Sequence, residues 1–202
     1  MKRITYILFT LLLSSCFYDA VYNFDKEDLA WMEPYDKRDT IIFASEEGMD
    51  TMIVDNKTLH DDHNVLFVPD EGTSVYNANG HIQNVVFHNK AHFECELMIV
   101  KKNEKVMKLY LLFKERALMF VDKHELQMTT IVVDGVEYDD AIIVDDSNSQ
   151  PLHNALYYCD YFIWSKSKGL LQYKYLDGEV YTFYKKLPYI QSWWKRKLID
   201  MF

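Results

Sequence analysis

Residues 60 to 63, His60-Asp61-Asp62-His63, set four side chains able to ligate a divalent metal in consecutive positions. Two imidazoles with carboxylates suit zinc or manganese when geometry brings them to one point. The run follows a strand-like segment, inside a polar stretch, and has no helical His-Glu-x-x-His frame. A solvated turn is therefore the simpler account, and a metal-dependent hydrolase using these four residues is a third functional reading. His88 and His92 bracket Asn89-Lys90-Ala91, the tip of an expected hairpin, where they either face each other or solvate. Asp139-Asp140 and Asp145-Asp146 flank an apolar strand. Glycoside chemistry needs two carboxyls across a cleft, whereas acidic pairs at strand ends are ordinarily surface charges. Asp145, Asp146 and Asn148 would make only a loose calcium site, because the EF-hand order and its terminal Glu are missing. No Gly-x-Ser-x-Gly elbow, P-loop or dinucleotide fingerprint occurs. The sequence thus carries no catalytic signature and implies no cofactor.

Two further groups have chemical potential. Cys95 and Cys159 lie in apolar strand-like runs. An oxidising compartment permits a disulfide between them, and a free Cys is also a good small hydrophobe. Near the end, Trp193-Trp194-Lys195-Arg196-Lys197 is a basic-aromatic patch in an acidic chain. It either packs over a sheet edge or contacts a ligand or an anionic headgroup layer.

Lys plus Arg number 22 against 31 Asp plus Glu, a net charge of −9, which disfavours nucleic-acid partners. Hydrophobic residues make up 49%, enough to build a sizeable core in one domain. Only 4 prolines and 6 glycines appear, too few for low-complexity spacers.

The elements positioning these groups read as strands. DTIIFASEE and DTMIVDNK flank Gly48-Met49 as a hairpin, and AHFECELMIV alternates with Phe93, Cys95, Leu97 and Ile99 on one face. VMKLYLLF, ALMFV and MTTIVV continue the pattern. Asp134-Gly135 and Asp177-Gly178 read as two-residue turns, because Gly supplies positive φ. About ten short strands at hairpin spacing predict a mainly all-β fold. Its form is an antiparallel meander making a curved sheet, sandwich or open barrel. Ser192 caps an expected short helix over residues 191–202, with Trp194, Leu198 and Met201 on one side. Dense aromatics between Tyr157 and Tyr184 alternate between faces, so the inward set is core and the outward set is free to line a groove.

The chain opens MKRITYILFTLLLSSC. Lys2 and Arg3 precede an apolar run from Ile4 to Leu13 and the small residues Ser14 and Ser15, the layout of a secretory signal. The run is too short for the ~20 residues of a membrane span. Leu13-Ser14-Ser15-Cys16 resembles the lipobox of bacterial lipoproteins. That resemblance implies removal of residues 1–15, with Cys16 becoming the diacylglyceryl-bearing first residue. Residues 16–38 then read as a lipidated tether whose aromatics suggest partial docking, and residues 39–202 as a single domain.

DTIIFASEEGMDTMIV, VDGVEYDDAIIV and YFIWSKSKGLLQYKYLDGEVYTF together resemble segments of small β-rich envelope lipoproteins from Bacteroides-type Gram-negative bacteria. The resemblance implies a β-meander envelope lipoprotein and no particular activity. DDSNSQPLHN departs from that pattern, being longer and more polar than a hairpin needs. Some proteins of this group reach the cell surface through acids close behind the Cys. Here Asp19 is the only acid among Phe17, Tyr18, Asp19 and Ala20, so the periplasm-facing side of the outer membrane is expected.

The leading expectation is a non-enzymatic, lipid-anchored binding or assembly module for an envelope protein, glycan or lipid. The alternative is a carrier of a hydrophobic ligand on the concave face of the sheet, which requires an open cavity there.

Overall fold

A computed structural model describes residues 23–60, 78–89, 91–101, 106–151 and 159–189. Cys16, Asp61, Asp62, His63 and the expected C-terminal helix with Trp193, Trp194, Lys195, Arg196 and Lys197 lie outside the described residues. The fold is all-β, and the described residues include one short helix, α1 (Lys26–Leu29). The strands are β1 (Thr40–Ala44), β2 (Met49–His60), β3 (Ala78–His88), β4 (Ala91–Lys101), β5 (Met107–Phe113) and β6 (Arg116–Asp122). They continue with β7 (Thr129–Val133), β8 (Val136–Val144), β9 (Gln150–Pro151), β10 (Cys159–Ser165), β11 (Gly169–Tyr175) and β12 (Val180–Leu187).

All strands belong to one antiparallel sheet, in the order β7-β8-β10-β11-β12-β1-β2-β3-β4-β5-β6-β9, curled into a half-barrel. The meander is therefore two meanders, β1–β6 and β7–β12, joined where β1 pairs with β12. The polar stretch 145–151 interrupts the second. It carries β9 across to pair with Arg116 and Ala117 at the far edge of the sheet. Its extra length bridges the open side of the half-barrel.

Period-two patterning gives the sheet one apolar face to curl around. β3 alternates buried and half-buried positions along nearly its whole length, with Ile82, Asn84 and Val86 inward. The same inward stripe continues through Leu97 and Ile99 of β4 and through Leu109, Leu111 and Phe113 of β5. Across the interior these meet Phe162, Trp164 and Tyr173 of the second meander, and Phe113 reaches Tyr173 with ring centroids 4.5 Å apart. Among the described residues the concave face is filled.

One end of the half-barrel is closed by residues expected to be tether. Trp31, Met32 and Tyr35 are fully buried in the main core, and Phe24 packs against it. The domain therefore begins near Phe24 rather than at residue 39. The reason is that the curled sheet leaves an apolar end which these side chains cover, each burial stabilising by roughly 1.5–3 kcal/mol. Asp25 starts α1 with a reciprocal capping box to Asp28. The Asp28 carboxylate, buried, accepts from Lys101 Nζ at 2.7 Å and Lys123 Nζ at 2.8 Å, pinning the helix to β4 and the end of β6. Burial would raise the Asp28 pKa, but the two ammonium groups outweigh it and hold the carboxyl below its ordinary value. The Tyr35 hydroxyl accepts from Leu170 N at 2.7 Å.

Both Asp-Gly turns form, with different chemistry. Asp134 and Gly135 have φ of 48° and 77°, the two positive values a two-residue turn requires. At the second turn only Gly178 is positive, with φ 101°, and its N–H donates to Tyr175 O at 3.0 Å. That loop is Leu176-Asp177-Gly178, a three-residue connection with glycine in the left-handed position.

Gly169 has φ 82°, and a Cβ there would overlap the Tyr35 ring. Gly169→Ala should lower the unfolding free energy by about 3 kcal/mol, combining left-handed strain and overpacking. Gly48→Ala, with nothing near its Cβ, should shift it by less than about 0.5 kcal/mol; urea denaturation measures both. A carboxyl with a depressed folded pKa stabilises fully above its ordinary value of 3.8, and that stability is lost as pH falls through the folded pKa. Asp28→Asn should therefore weaken the domain at neutral pH and flatten its acid unfolding limb, as followed by tryptophan fluorescence.

Candidate functional site

The end of the half-barrel opposite α1 is built from four hairpin turns: β1–β2, β3–β4, β5–β6 and β11–β12. Asp50 sits in the inward stripe Asp50-Met52-Val54 of β2, at a position where the pattern calls for an apolar side chain. It is 1% exposed. A lone buried carboxylate would cost several kcal/mol, and three donors converge on this one. Tyr173 OH donates to Oδ2 at 2.6 Å, Tyr175 OH donates to the same oxygen at 3.0 Å, and His88 Nδ1 lies 2.8 Å from Oδ1.

The aromatic rings enclose this network. His88 packs against Tyr175 with centroids 4.8 Å apart and meets Tyr181 edge-on at 5.6 Å. Tyr181 stacks on Tyr173 at 5.3 Å. Its hydroxyl lies within hydrogen-bonding reach of Ser45 and Glu179, whose side chains also bond to each other. Burial and the Asp50 charge push the Tyr173 and Tyr175 hydroxyls far above the ordinary phenol range, and burial pushes Tyr181 up to about 12. All three therefore stay protonated and act as donors. Lys114, in the β5–β6 turn, places Nζ 3.6 Å from the Tyr175 ring centroid and 5.3 Å from that of Phe93. Burial lowers its pKa.

A carboxylate on Nδ1 fixes an imidazole's tautomer and orientation, the arrangement a general base needs. His88 is 22% exposed at its side chain. Its Nε2 is engaged by Asn89 Nδ2 at 3.0 Å, and no hydroxyl or thiol bonds to it among the described residues. The cluster is thus a satisfied polar closure of the core with one imidazole edge at the surface.

The register separates the histidines expected to share a hairpin tip. His88 pairs with Ala91 and His92 with Phe87, so the two rings point to opposite faces of the sheet. His92 stacks beside Phe87 instead, at 6.3 Å. His60 stands exposed at the end of β2. Three of the four paired acids bond to neighbouring groups of the chain. Asp140 accepts from Ser165 Oγ at 2.6 Å and Ser167 N at 2.7 Å, and Asp146 pairs with Arg116 at 2.7 Å. Asp145 accepts from Ser147 N at 2.8 Å, while Asn148 bonds to Asp145 N and Ile143 O, so these residues cap a turn. No group of three or more His, Cys, Asp or Glu side chains able to hold a metal occurs among the described residues.

Cys95 and Cys159 are free, buried thiols, so the disulfide permitted by their number is not formed. Asn84 Nδ2 lies 3.8 Å from Cys95 Sγ, and Cys159 Sγ donates to Phe113 O at 3.6 Å. Burial pushes Cys159 up to about 12 and Cys95 higher, which makes both unreactive hydrophobes. Of the aromatic run, Phe162, Trp164, Tyr173, Tyr175 and Tyr181 are inward core, whereas Tyr161 and Tyr184 face outward; Tyr157 and Tyr158 lie outside the described residues.

Asp50→Ala leaves His88 and two tyrosines without their acceptor and should cost about 3–5 kcal/mol in urea unfolding. Tyr175→Phe removes one donor of three and should cost about 1 kcal/mol. The double variant should fall short of the sum, because both changes act on one network.

No protein-family model matches this chain, and neither a curated protein nor a solved structure matches it.

Proposed function

We propose that the chain is a lipid-anchored envelope lipoprotein whose half-barrel is a non-enzymatic binding or assembly module, held at the periplasm-facing side of the outer membrane through Cys16. The supporting observation is the docking of α1 at one end of the half-barrel. Phe24 follows Cys16 so closely that the intervening chain spans at most roughly 30 Å when fully extended. An anchor there keeps the α1 end near the bilayer. The eleven residues of β3 span about 35 Å from the α1 end to the opposite end. The free end, with the Asp50–His88 cluster and its turns, faces away from the membrane and toward other envelope components.

A carrier of a hydrophobic ligand asks for a hollow on the concave face. There, the described residues place Trp164, Tyr173, Phe113 and their neighbours in contact. Binding at an outer surface fits the packed interior better. The hydrolase reading rests on four residues of which only His60 is described, and His60 is exposed.

The anchor is tested by metabolic labelling. Wild type should take up radioactive palmitate and sediment with membranes. Cys16→Ser should lose the label and persist as precursor; a labelled variant overturns the assignment.

A further inference from the structure

An antiparallel sheet with one packed face is ordinarily polar on the other. Three neighbouring strands break that rule. β1 reads Ile41-Ile42-Phe43, β2 reads Met52-Ile53-Val54 and β3 reads Val85-Val86-Phe87, apolar at both parities. The inward members, Ile41, Phe43, Met52, Val54 and Val86, belong to the main core. The register aligns the outward ones, with β12, in two rows: Leu187-Thr40-Ile53-Val85 and Lys185-Ile42-Thr51-Phe87. Ala44 and Met49 extend this convex block toward the β1–β2 turn. Lys185, at its edge, is the only charged side chain in it. Polar residues return on β4, where Glu94 and His92 continue the two rows. Ile53, Leu187 and Phe87 stand 37%, 40% and 43% exposed. Strands apolar at both parities are the pattern of a sheet covered on both faces.

The size of the block limits what covers it. From β12 to β3 is three strand spacings, about 14 Å, and from Met49 to Ile53 is four residue steps, also about 14 Å. That footprint of about 200 Å² falls well short of the ~800 Å² that each partner of a stable dimer buries. It matches the bed of one short helix, about 10 Å wide.

The chain carries such a helix in its sequence. The described residues end at Tyr189, two positions past Leu187 and beside the block. That exit is fixed in place, because Tyr189 N donates to Asp39 Oδ1 at 3.0 Å and Arg38 Nη1 donates to Tyr189 OH at 3.1 Å. The helix expected over residues 191–202 would run about 18 Å. It sets Trp194, Leu198 and Met201 at i, i+4 and i+7 on one side, with Arg196 and Asp200 opposite.

We infer that the C-terminal segment folds back over the convex block, seating Trp194, Leu198 and Met201 on Ile42, Ile53, Val85 and Phe87. The inference does not rest on the lipid anchor. It closes this face to envelope partners and leaves Arg196 and Asp200 toward solvent.

The test uses the full chain purified in non-ionic detergent, with cysteine pairs oxidised by copper phenanthroline and located by peptide mass mapping. Ile53→Cys is combined in turn with Trp194→Cys, Leu198→Cys and Met201→Cys. At least one pair should close an intramolecular disulfide in more than about half of the molecules. Glu125→Cys, on the exposed β6–β7 loop, should close none with the same three. Leu198→Asp should raise the fluorescence of added ANS, a dye for exposed apolar surface, by about threefold, and Arg196→Asp should leave it within about a fifth of wild type. Both substitutions lie in the C-terminal segment, so the sequence of the sheet is unchanged. Absence of any Ile53→Cys bond, bonds only between two copies, equal bonding by Glu125→Cys, or equal ANS signals for the two Asp variants would each overturn the assignment. None of these readouts depends on palmitate labelling, so failure of this contact and failure of the anchor are told apart.

Discussion

A single antiparallel sheet curled through half a barrel has one apolar concave face and two ends, and everything else here follows from covering them. Side chains from opposite strands meet across the interior, as Phe113 and Tyr173 do, but strands alone cannot cover their own ends. Each end is closed differently. At one, α1 and the turn after it insert Trp31, Met32 and Tyr35, fixed by the Asp28–Lys101–Lys123 ion pairs. At the other, closure comes from the rings of Tyr173, Tyr175, Tyr181 and His88 gathered on Asp50.

The two closures share a physical device, a buried carboxylate with more than one donor. Neither acid is a favourable addition to an apolar core by itself. Each fixes geometry: Asp28 sets where the helix docks, and Asp50 sets which ring faces inward at the turn end. A third buried polar group serves the open side. Arg116 donates to Cys159 O at 2.9 Å, Ser149 Oγ at 2.7 Å and Asp146 Oδ1 at 2.7 Å, tying the edge of the first meander to the bridging segment and the second. The chemistry-bearing side chains are thus largely consumed in closing the half-barrel.

Much of this was legible in the sequence. Period-two alternation identified the strands, and Asp-Gly located two turns, because both depend on the nearest neighbours along the chain. Asp50 was missed by the sequence reading: an acid inside the Asp50-Met52-Val54 stripe is its only local sign, and its donors are on β3 and β11, where no local pattern names them. His88 and His92 show the opposite case. Their spacing suggested a shared tip, and one residue of register sent them to opposite faces.

By itself the sequence determined the all-β class, the acidic charge and the positions of most hairpins, since these follow from side-chain type and short-range backbone preference. Only the tertiary structure decided that residues expected to tether the domain are part of its core, that Cys95 and Cys159 remain free, and that the segment 145–151 bridges the sheet's edges. Each of these depends on contacts between residues far apart in the chain, and the curl of the sheet, which no local pattern encodes, sets which of them meet.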